Sequence, residues 1–284
     1  MKICIHTIIL NELDEYLKVW LDYHTKMVDH IFIFEDIGSK SHKHITDKYE
    51  NVTLMNVLDL YEEKDKQKII ETKNNGEVLQ GYFVMRGIEK IKSQNIYEWC
   101  FAIDIDEFIT LQEPYKAIPD VLSEFQDYDG IIVQWQNFGA NGRVYKPNYD
   151  GRDYREFYTE KSPFNKLDRK LKITTKVVWN LRKVRRHNLG GVHCMHGNWV
   201  NTKKKKDREE IVYDKMYLAH YVTKSWEEYI WKIYKRGMHC GNKHRSDRDF
   251  FEINPSMEEI YDELQRIKNN IINTYEHGKE FKKV

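Results

Sequence analysis

The chain has 284 residues, a hydrophobic fraction of 40% and a formal net charge of +1 at pH 7. This length allows one large α/β domain with a substantial core. The sequence has no low-complexity tracts or internal repeats, which excludes a disordered chain and a solenoid. The balanced charge excludes a general nucleic-acid binder, because such proteins carry a strong basic excess.

The cysteines and the N-terminus indicate a reducing, cytoplasmic location. Four cysteines are scattered along the chain without a C-x-x-C pair: Cys4, Cys100, Cys194 and Cys240. This pattern disfavours a disulfide framework and a structural zinc site. The apolar stretch from Met1 to Leu10 lacks a small-residue cleavage site, which predicts a core strand rather than a signal peptide. No stretch reaches the roughly 20 apolar residues that span a bilayer, so we expect no transmembrane segment.

Apolar runs alternate with helical patterns in the first 108 residues. Strands are predicted at Ile3–Leu10, His30–Asp36, Val52–Leu58 and Trp99–Ile103, and helices at Leu13–His24 and Gly76–Lys92. This β-α-β order predicts a mostly parallel sheet covered by helices. Ligands bind such sheets at the carboxyl ends of the strands, and both Asp36 and the acidic segment Asp104–Glu107 fall at that edge.

The pattern changes in the second half of the chain. The predicted elements are strands at Gly130–Gln136 and Leu171–Val178, a flexible Gly139–Gly142 turn, an irregular stretch at Tyr145–Arg169, and helices at Ser225–Arg236 and about Ser256–Tyr275. A Gly- and His-rich stretch, Gly190–Val200, precedes a basic loop, Lys203–Lys206. The apolar stripe of the last helix is typical of a core or an interface.

The sharpest motif is the acidic segment that follows the fourth strand. In an extended chain, Asp104 and Asp106 point the same way, so both carboxylates can reach one cation. Hard oxygen ligands suit Mn²⁺ or Mg²⁺, which in turn bridge a diphosphate. The alternative interpretation is a solvated acidic strand end without a ligand.

Several segments, in chain order, resemble one group of enzymes. They are Ile8–Glu12, Trp20–His24, Ile33–Asp36, Trp99–Phe108, Trp135–Gly139 and His220–Ser225. Over roughly residues 3 to 237 the chain resembles family-2-like glycosyltransferases related to glycosyltransferase family 92. It departs from their pattern at Leu10, where they usually have Lys, and in an insert around Lys203.

The resemblance implies an α/β fold of GT-A type, with a mostly parallel, Rossmann-like sheet flanked by helices and with C-terminal helices. It implies one domain over residues 1–284, in which 1–108 bind the nucleotide sugar, 109–237 bind the acceptor and complete the metal site, and 238–284 form a helical extension. The expected activity is metal-dependent hexosyl transfer, with inversion, from a UDP-sugar to a glycan, a lipid-linked glycan or another hydroxyl acceptor. Polysaccharide biosynthesis is the expected setting.

The resemblance also implies roles for individual residues. Asp36 would contact the base or ribose of the donor, with Asn11 and Glu12 lining the same pocket; alternatively, Asn11 only caps a helix. Gln80 and Arg86 lie on the helix that faces this edge. Arg86 could neutralise diphosphate charge, although the interpretation as a surface arginine is slightly preferred.

A late histidine often completes the metal site in GT-A enzymes. His220 is the first candidate because it follows a short apolar strand, and His196, in the Gly-rich stretch, is the next. An ordinary structural histidine is the alternative for each.

An inverting transfer needs a carboxylate that deprotonates the acceptor hydroxyl. Glu156 is the candidate base and Asp153 the alternative, since both follow the flexible turn where the acceptor should enter. The basic Lys203–Lys206 loop could contact an anionic acceptor or a membrane surface, or be an ordinary solvated loop.

Two other functions compete with glycosyl transfer. A metal-dependent phosphoryl- or nucleotidyl-transfer enzyme, or a nuclease, could use Asp104, Asp106 and Glu107 with a second metal. A non-catalytic carbohydrate-binding protein would bind glycans without metal-dependent affinity for a nucleotide.

Overall fold

The computed structural model describes residues 1–162, 175–185, 199–201, 214–236 and 246–276. Contacts divide the chain into two compact units. Unit 1 comprises the described parts of Met1–Trp135 and Asn165–Ala219, and unit 2 those of Gln136–Phe164 and His220–Val284. The expected single domain, with internal boundaries at residues 108 and 237, stays a prediction.

The described residues form strands, helices and short helical turns. The strands are β1 Ile3–Ile9, β2 His30–Glu35, β3 Val52–Asn56, β4 Trp99–Ala102, β5 Glu107–Leu111, β6 Gly130–Asn137, β7 Thr175–Asn180, β8 Trp199–Asn201 and β9 Met216–His220. The α-helices are α1 Asp14–His24, α2 Lys43–Thr46, α3 Glu63–Asn74, α4 Gln80–Ser93, α5 Ile118–Leu122, α6 Trp226–Trp231, α7 Asp247–Ile253 and α8 Tyr261–Glu276. Short 3₁₀ turns cover Val57–Leu60, Ser123–Phe125, Tyr154–Phe157 and Pro255–Ile260, and a π-helical turn covers Lys232–Arg236.

All nine strands belong to one sheet, in the order β3-β2-β1-β4-β7-β6-β9-β5, with β8 also paired to β6. β1 pairs in parallel with β2 and β4, and β2 pairs in parallel with β3. β7 is antiparallel to both β4 and β6. The predicted parallel β-α-β half is therefore confirmed, and the second half makes the sheet mixed.

Helices α1 and α4 bury one stripe each, as amphipathic helices do. In α1 the buried positions include Leu17, Trp20, Leu21 and His24. In α4 they recur at the same spacing, and its apolar side packs on β1 and β2 in the main core of unit 1. β1 is buried at all seven positions, as expected for a strand covered on both faces.

Six of the described strands and α-helices were not predicted, namely α2, α3, α5, α7, β5 and β8, and one helix begins later than expected. Helix α3 has no buried residue, so it lacks the apolar stripe that identifies a helix in sequence. The predicted Gly76–Lys92 helix starts only at Gln80. Gly76 instead follows the end of α3 with a φ of +84°, a left-handed conformation that glycine adopts readily.

The core of unit 2 is aromatic and includes Trp226, Tyr229 and Phe250. The predicted helix at Ser225–Arg236 is confirmed, with its last turn π-helical. Ser225 caps it by accepting a hydrogen bond from the backbone of Glu228 at 3.2 Å. The last helix begins at Tyr261 after the 3₁₀ turn that starts at Pro255. Among the helices of the described residues, none has the length and apolar character to cross a bilayer.

Candidate functional site: an acidic turn beside a buried lysine

The acidic turn, Asp104–Glu107, lies between the end of β4 and the start of β5. The backbone N–H of Glu107 donates to the carbonyl of Asp104 at 3.0 Å, and the Glu107 carboxylate accepts from the backbone N–H of Asp104 at 3.0 Å. The expectation of an extended segment, with Asp104 and Asp106 on one side of a strand, is wrong because these two bonds fold the segment into a turn. The nearness of the carboxylates comes from this turn and not from strand alternation.

Glu107 and Asp106 are buried, and Asp104 is partly exposed. Glu107 is 0% exposed and Asp106 8%, whereas the Asp104 side chain is 39% exposed. Burial raises the pKa of Glu107 well above its ordinary value; Lys176 opposes this shift, while Asp104 and Asp106 add to it. The turn therefore concentrates acidic groups where little water reaches them, and a cation would be stabilised there.

Helix α1 holds the strand that begins with Glu107. The indole Nε1 of Trp20 donates to the Glu107 carbonyl at 2.9 Å, and the Tyr23 hydroxyl donates to the Ile109 carbonyl at 2.7 Å. The backbone N–H of Ile109 donates to His24 Nε2 at 3.3 Å. The Trp-x-x-Tyr-His pattern in the sequence thus positions β5 behind the acidic turn.

Lys176 on β7 is the main residue of this site that the sequence interpretation missed. Its side chain is 1% exposed, and its Nζ lies 2.7 Å from Asp104 Oδ2 and 3.4 Å from Glu107 Oε1. Burial lowers the pKa of this ammonium, but the carboxylates of Asp104 and Glu107 outweigh burial and raise it to about 12. The available signal was a lysine inside the segment Leu171–Val178, which was predicted as a strand.

His220 is the last residue of β9, which is hydrogen-bonded to β5 in the sheet. It is 4% exposed, and its role as a metal ligand stays a prediction. Nδ1 of His220 lies 2.9 Å from Oδ1 of Asn137. If that nitrogen carries the proton, Nε2 is the one left with a lone pair.

The acidic turn fits a divalent cation, because carboxylate oxygens are suitable donors for Mn²⁺ and Mg²⁺. Asp104, which was expected as a ligand together with Asp106, has one carboxylate oxygen on Lys176. His196, the second histidine candidate, lies outside the described residues, as does Lys203–Lys206.

Two predicted donor-pocket residues lie at the carboxyl ends of β1 and β2. Asn11, with a φ of +47°, accepts from the backbone N–H of Lys40 at 2.9 Å and donates its own N–H to Ser39 Oγ at 3.1 Å. It does not cap α1, whose N-cap is Leu13. Asp36 is 2% exposed and forms a short ion pair with Lys73. The structure thus brings Asn11 and Asp36 to one edge of the sheet.

Glu12 belongs to a brace between the two loops at this edge. Its carbonyl lies 3.0 Å from Nε2 of His42, and Nδ1 of the same ring lies 3.0 Å from the Glu35 carboxylate. Glu35 and His42 are buried. Sequence reasoning missed this buried pair, which fixes the loop after β2 against the loop after β1.

Gln80 and Arg86 are not brought to the acidic turn by any contact described for them. Gln80 is the first residue of α4. Arg86 is exposed, lies 3.6 Å from the Glu89 carboxylate and stacks over the Tyr61 ring with its guanidinium carbon 5.7 Å from the centroid. This environment agrees with the interpretation as a surface arginine, and a phosphate contact by Arg86 stays a prediction.

The two candidate bases lie in unit 2. Asp153 caps the 3₁₀ turn at Tyr154–Phe157 and pairs with the Arg155 guanidinium, with a shortest separation of 2.5 Å. Glu156 lies exposed within that turn. A base needs a carboxylate that can accept a proton, so Glu156 stays the better candidate.

His6, in the middle of β1, is a further buried group that the sequence interpretation missed. It is 1% exposed, stacks on Phe34 at a centroid distance of 4.7 Å, and its Nε2 has no hydrogen-bond partner. A Cβ on Gly87 of α4 would lie 2.2 Å from that nitrogen, so only glycine allows this approach. Burial lowers the pKa of His6 to about 3, which keeps the imidazole neutral.

Comparisons with known proteins agree with the resemblance in the sequence. The sequence pattern of glycosyltransferase family 92 matches residues 1–277. No curated protein matches the chain.

Three solved structures show distant similarity. Glucosyl-3-phosphoglycerate synthase from Mycobacterium tuberculosis, in complex with Mn²⁺, UDP and glucosyl-3-phosphoglycerate, is 16% identical over 50% of this chain and 46% of its own, with a TM-score of 0.30. A proposed nucleotide-diphospho-sugar transferase from Desulfovibrio desulfuricans is 9% identical over 97% of this chain and 99% of its own, with a TM-score of 0.32. A galactosyltransferase in complex with donor and acceptor sugar analogues is 12% identical over 66% of this chain and 60% of its own, with a TM-score of 0.26.

The alignment spans less than half of the synthase and less than two thirds of the galactosyltransferase. At such TM-scores these similarities carry no argument about the site. The family match covers nearly the whole chain, and the expected α/β fold of GT-A type, with its C-terminal helices, is confirmed. The chain therefore belongs to glycosyltransferase family 92.

Proposed function

We propose that this glycosyltransferase is metal-dependent and uses a nucleotide-sugar donor, with a UDP-sugar as the first candidate. The observation that carries the proposal is the acidic turn, in which Asp106 and Glu107 are buried between the end of β4 and the start of β5. A carboxylate-rich site at the carboxyl end of a sheet suits a cation that neutralises a diphosphate.

The proposed cation is Mn²⁺ or Mg²⁺, held by Asp106, Glu107 and His220. When bound, it would stabilise negative charge on the leaving nucleoside diphosphate. Asp104 remains a candidate for an additional ligand or a donor contact.

The donor nucleoside is proposed to bind at the ends of β1 and β2. Asp36 would accept a hydrogen bond from the base or ribose, and Asn11 and Glu12 would shape the pocket, supported by their bonds to Lys40 and His42. Gln80 and Arg86 are proposed as further donor contacts. Because Asp36 is paired with Lys73, a nucleoside could bind this carboxylate if the lysine moved away or if both groups contacted the carboxylate together.

The proposed acceptor is a hydroxyl of a glycan or a lipid-linked glycan, with transfer by inversion. Glu156 would take the proton from the acceptor hydroxyl as it attacks the anomeric carbon. The expected cytoplasmic location, with contact at a membrane surface, and a role in polysaccharide biosynthesis belong to the same proposal.

The proposal is tested by a panel of nucleotide sugars added to the purified chain with and without Mn²⁺. A ligand that binds only the folded protein raises its melting temperature, so the correct donor should stabilise the chain in the presence of Mn²⁺ and much less in its absence. Release of nucleoside diphosphate from that donor should then be measured directly.

The same panel separates the competing functions. A nucleotidyltransferase or nuclease would be stabilised equally by nucleotides without sugar and would release products from phosphodiesters. A carbohydrate-binding protein would respond to glycans alone. Either result, without turnover of any nucleotide sugar, would overturn the proposal.

A further inference from the structure

We infer that Lys176 is the internal counter-cation of the acidic turn. It stabilises the turn in the metal-free protein, and it lowers the affinity of the turn for a divalent cation. The inference rests on the metal site of the proposed function and adds a positioning residue to it. Lys176 was predicted by no motif in the sequence.

The first observation is the position of the ammonium group. Nζ of Lys176 lies 2.7 Å from Asp104 and 3.4 Å from Glu107, and it also lies 5.9 Å from the centre of the Trp135 ring. Its partners are thus two carboxylates and an aromatic face, all groups that stabilise a cation. An uncompensated lysine would be strongly disfavoured at 1% exposure.

The second observation is that the turn is closed without the lysine. The reciprocal hydrogen bonds between Asp104 and Glu107 involve only their own backbone and the Glu107 carboxylate. Helix α1 holds the Glu107 carbonyl from the other side through Trp20. Removing the Lys176 charge should therefore change the electrostatics of the turn more than its shape.

The consequence concerns cation binding. A positive charge within hydrogen-bond distance of Asp104 and close to Glu107 repels any divalent cation that approaches the same carboxylates. Without that charge, the carboxylates would repel one another in the metal-free protein and attract a divalent cation more strongly. Lys176 thus stabilises the acidic turn in the metal-free protein and lowers the affinity of the turn for a divalent cation.

The test is Lys176→Met in the full chain, since Met keeps much of the length of the side chain without its charge. Mn²⁺ binding is measured from the electron paramagnetic resonance signal of free Mn²⁺, in the absence of nucleotide. The variant should bind Mn²⁺ at least about tenfold more tightly than the wild type. It should also melt at a lower temperature without metal, and Mn²⁺ should raise that temperature more than in the wild type.

The matched control is Lys183→Met. Lys183 pairs with Asp127 at 3.1 Å on the surface and has no described contact with the turn, so this variant should bind Mn²⁺ like the wild type. Equal or weaker Mn²⁺ binding by Lys176→Met would overturn the inference.

A second pair of variants covers the case in which Lys176→Met does not fold. Replacing both partners of a buried pair costs less than replacing one, so Asp104→Asn/Lys176→Met is compared with Asp104→Asn alone. The double variant should bind Mn²⁺ more tightly than the single one, and equal binding would overturn the inference. If neither the wild type nor any variant binds Mn²⁺, even with UDP present, the metal dependence in the proposed function fails as well. If they bind Mn²⁺ but replacing Lys176 does not change the affinity, only the counter-cation role fails.

Discussion

The indole Nε1 of Trp20 donates a 2.9 Å hydrogen bond to the backbone carbonyl of Glu107. This bond connects the buried face of α1 to the residue that closes the acidic turn. The two residues are 87 positions apart in the sequence, so the bond fixes the acidic turn to a helix that contributes none of the proposed ligands.

Replacing Trp20 by Phe should therefore destabilise the protein by more than its loss of volume explains. Trp179→Phe is the matched control, since Trp179 is also buried in unit 1 and its Nε1 has no hydrogen-bond partner. We expect Trp20→Phe to cost about 0.5–1.5 kcal/mol more than the control, because it removes a buried hydrogen bond. Urea denaturation measures both, and equal losses would mean that the bond contributes nothing.

Asn137 should set the metal affinity of His220 through the other ring nitrogen. Its Oδ1 lies 2.9 Å from Nδ1 of His220 and can accept a hydrogen bond from a protonated Nδ1, which leaves Nε2 for the metal. Asn137→Asp keeps an acceptor and should retain Mn²⁺ affinity. Asn137→Leu has a similar shape without an acceptor and should weaken Mn²⁺ binding by about tenfold or more. Similar Mn²⁺ affinities for the two variants would show that the acceptor is irrelevant.

Asp36 should control donor affinity. If it accepts a hydrogen bond from the nucleoside, Asp36→Asn should raise the donor KM by about one to two orders of magnitude with a smaller change in kcat. Lys73→Met separates this role from the ion pair, because it removes the partner of Asp36 and keeps the carboxylate. A donor KM that rises equally in both variants would indicate that only the ion pair matters, and an unchanged KM in Asp36→Asn would exclude the nucleoside contact.

The neutral imidazole of His6 should make folding sensitive to acid. Its pKa is lowered from 6.5 to about 3 in the folded protein, so between these values the unfolded chain takes up a proton that the folded chain does not. The contribution of the neutral His6 to the free energy of unfolding is fully present above pH 6.5. As the pH is lowered from 6.5 towards 3, this free energy falls by up to about 1.4 kcal/mol per pH unit.

His6→Gln removes this titration, so its free energy of unfolding should fall less steeply than that of the wild type from pH 6 to pH 4. Denaturation in urea at a series of pH values gives both slopes. Parallel slopes would show that His6 does not titrate differently in the two states.

The sequence predicts the elements that are identified by apolar periodicity. β1, β2 and β4 are continuous buried runs, and α1 and α4 carry one apolar stripe each, so their order was sufficient for the parallel half of the sheet. Helix α3 was missed because it buries nothing, and β5 because it follows directly from the acidic turn.

The candidate site was predictable in composition and not in geometry. Asp104, Asp106 and Glu107 are adjacent in sequence, and His220 follows a recognisable strand. The shape of the turn depends on the Glu107 side chain bonding back to the Asp104 backbone, and the pairing with Lys176 joins residues 72 positions apart. Such contacts are set by the packing of β4 against β7 and leave no periodic pattern in the sequence.

Turnover by Asp106→Asn tests the central claim most directly. Asn keeps the shape of the side chain and removes the charge that a divalent cation requires. With the donor identified by the nucleotide-sugar panel and saturating Mn²⁺, release of nucleoside diphosphate should fall by at least about 100-fold, while the melting temperature without metal stays unchanged or rises. Turnover within severalfold of the wild type would contradict the assignment of Asp106 to a catalytic metal site.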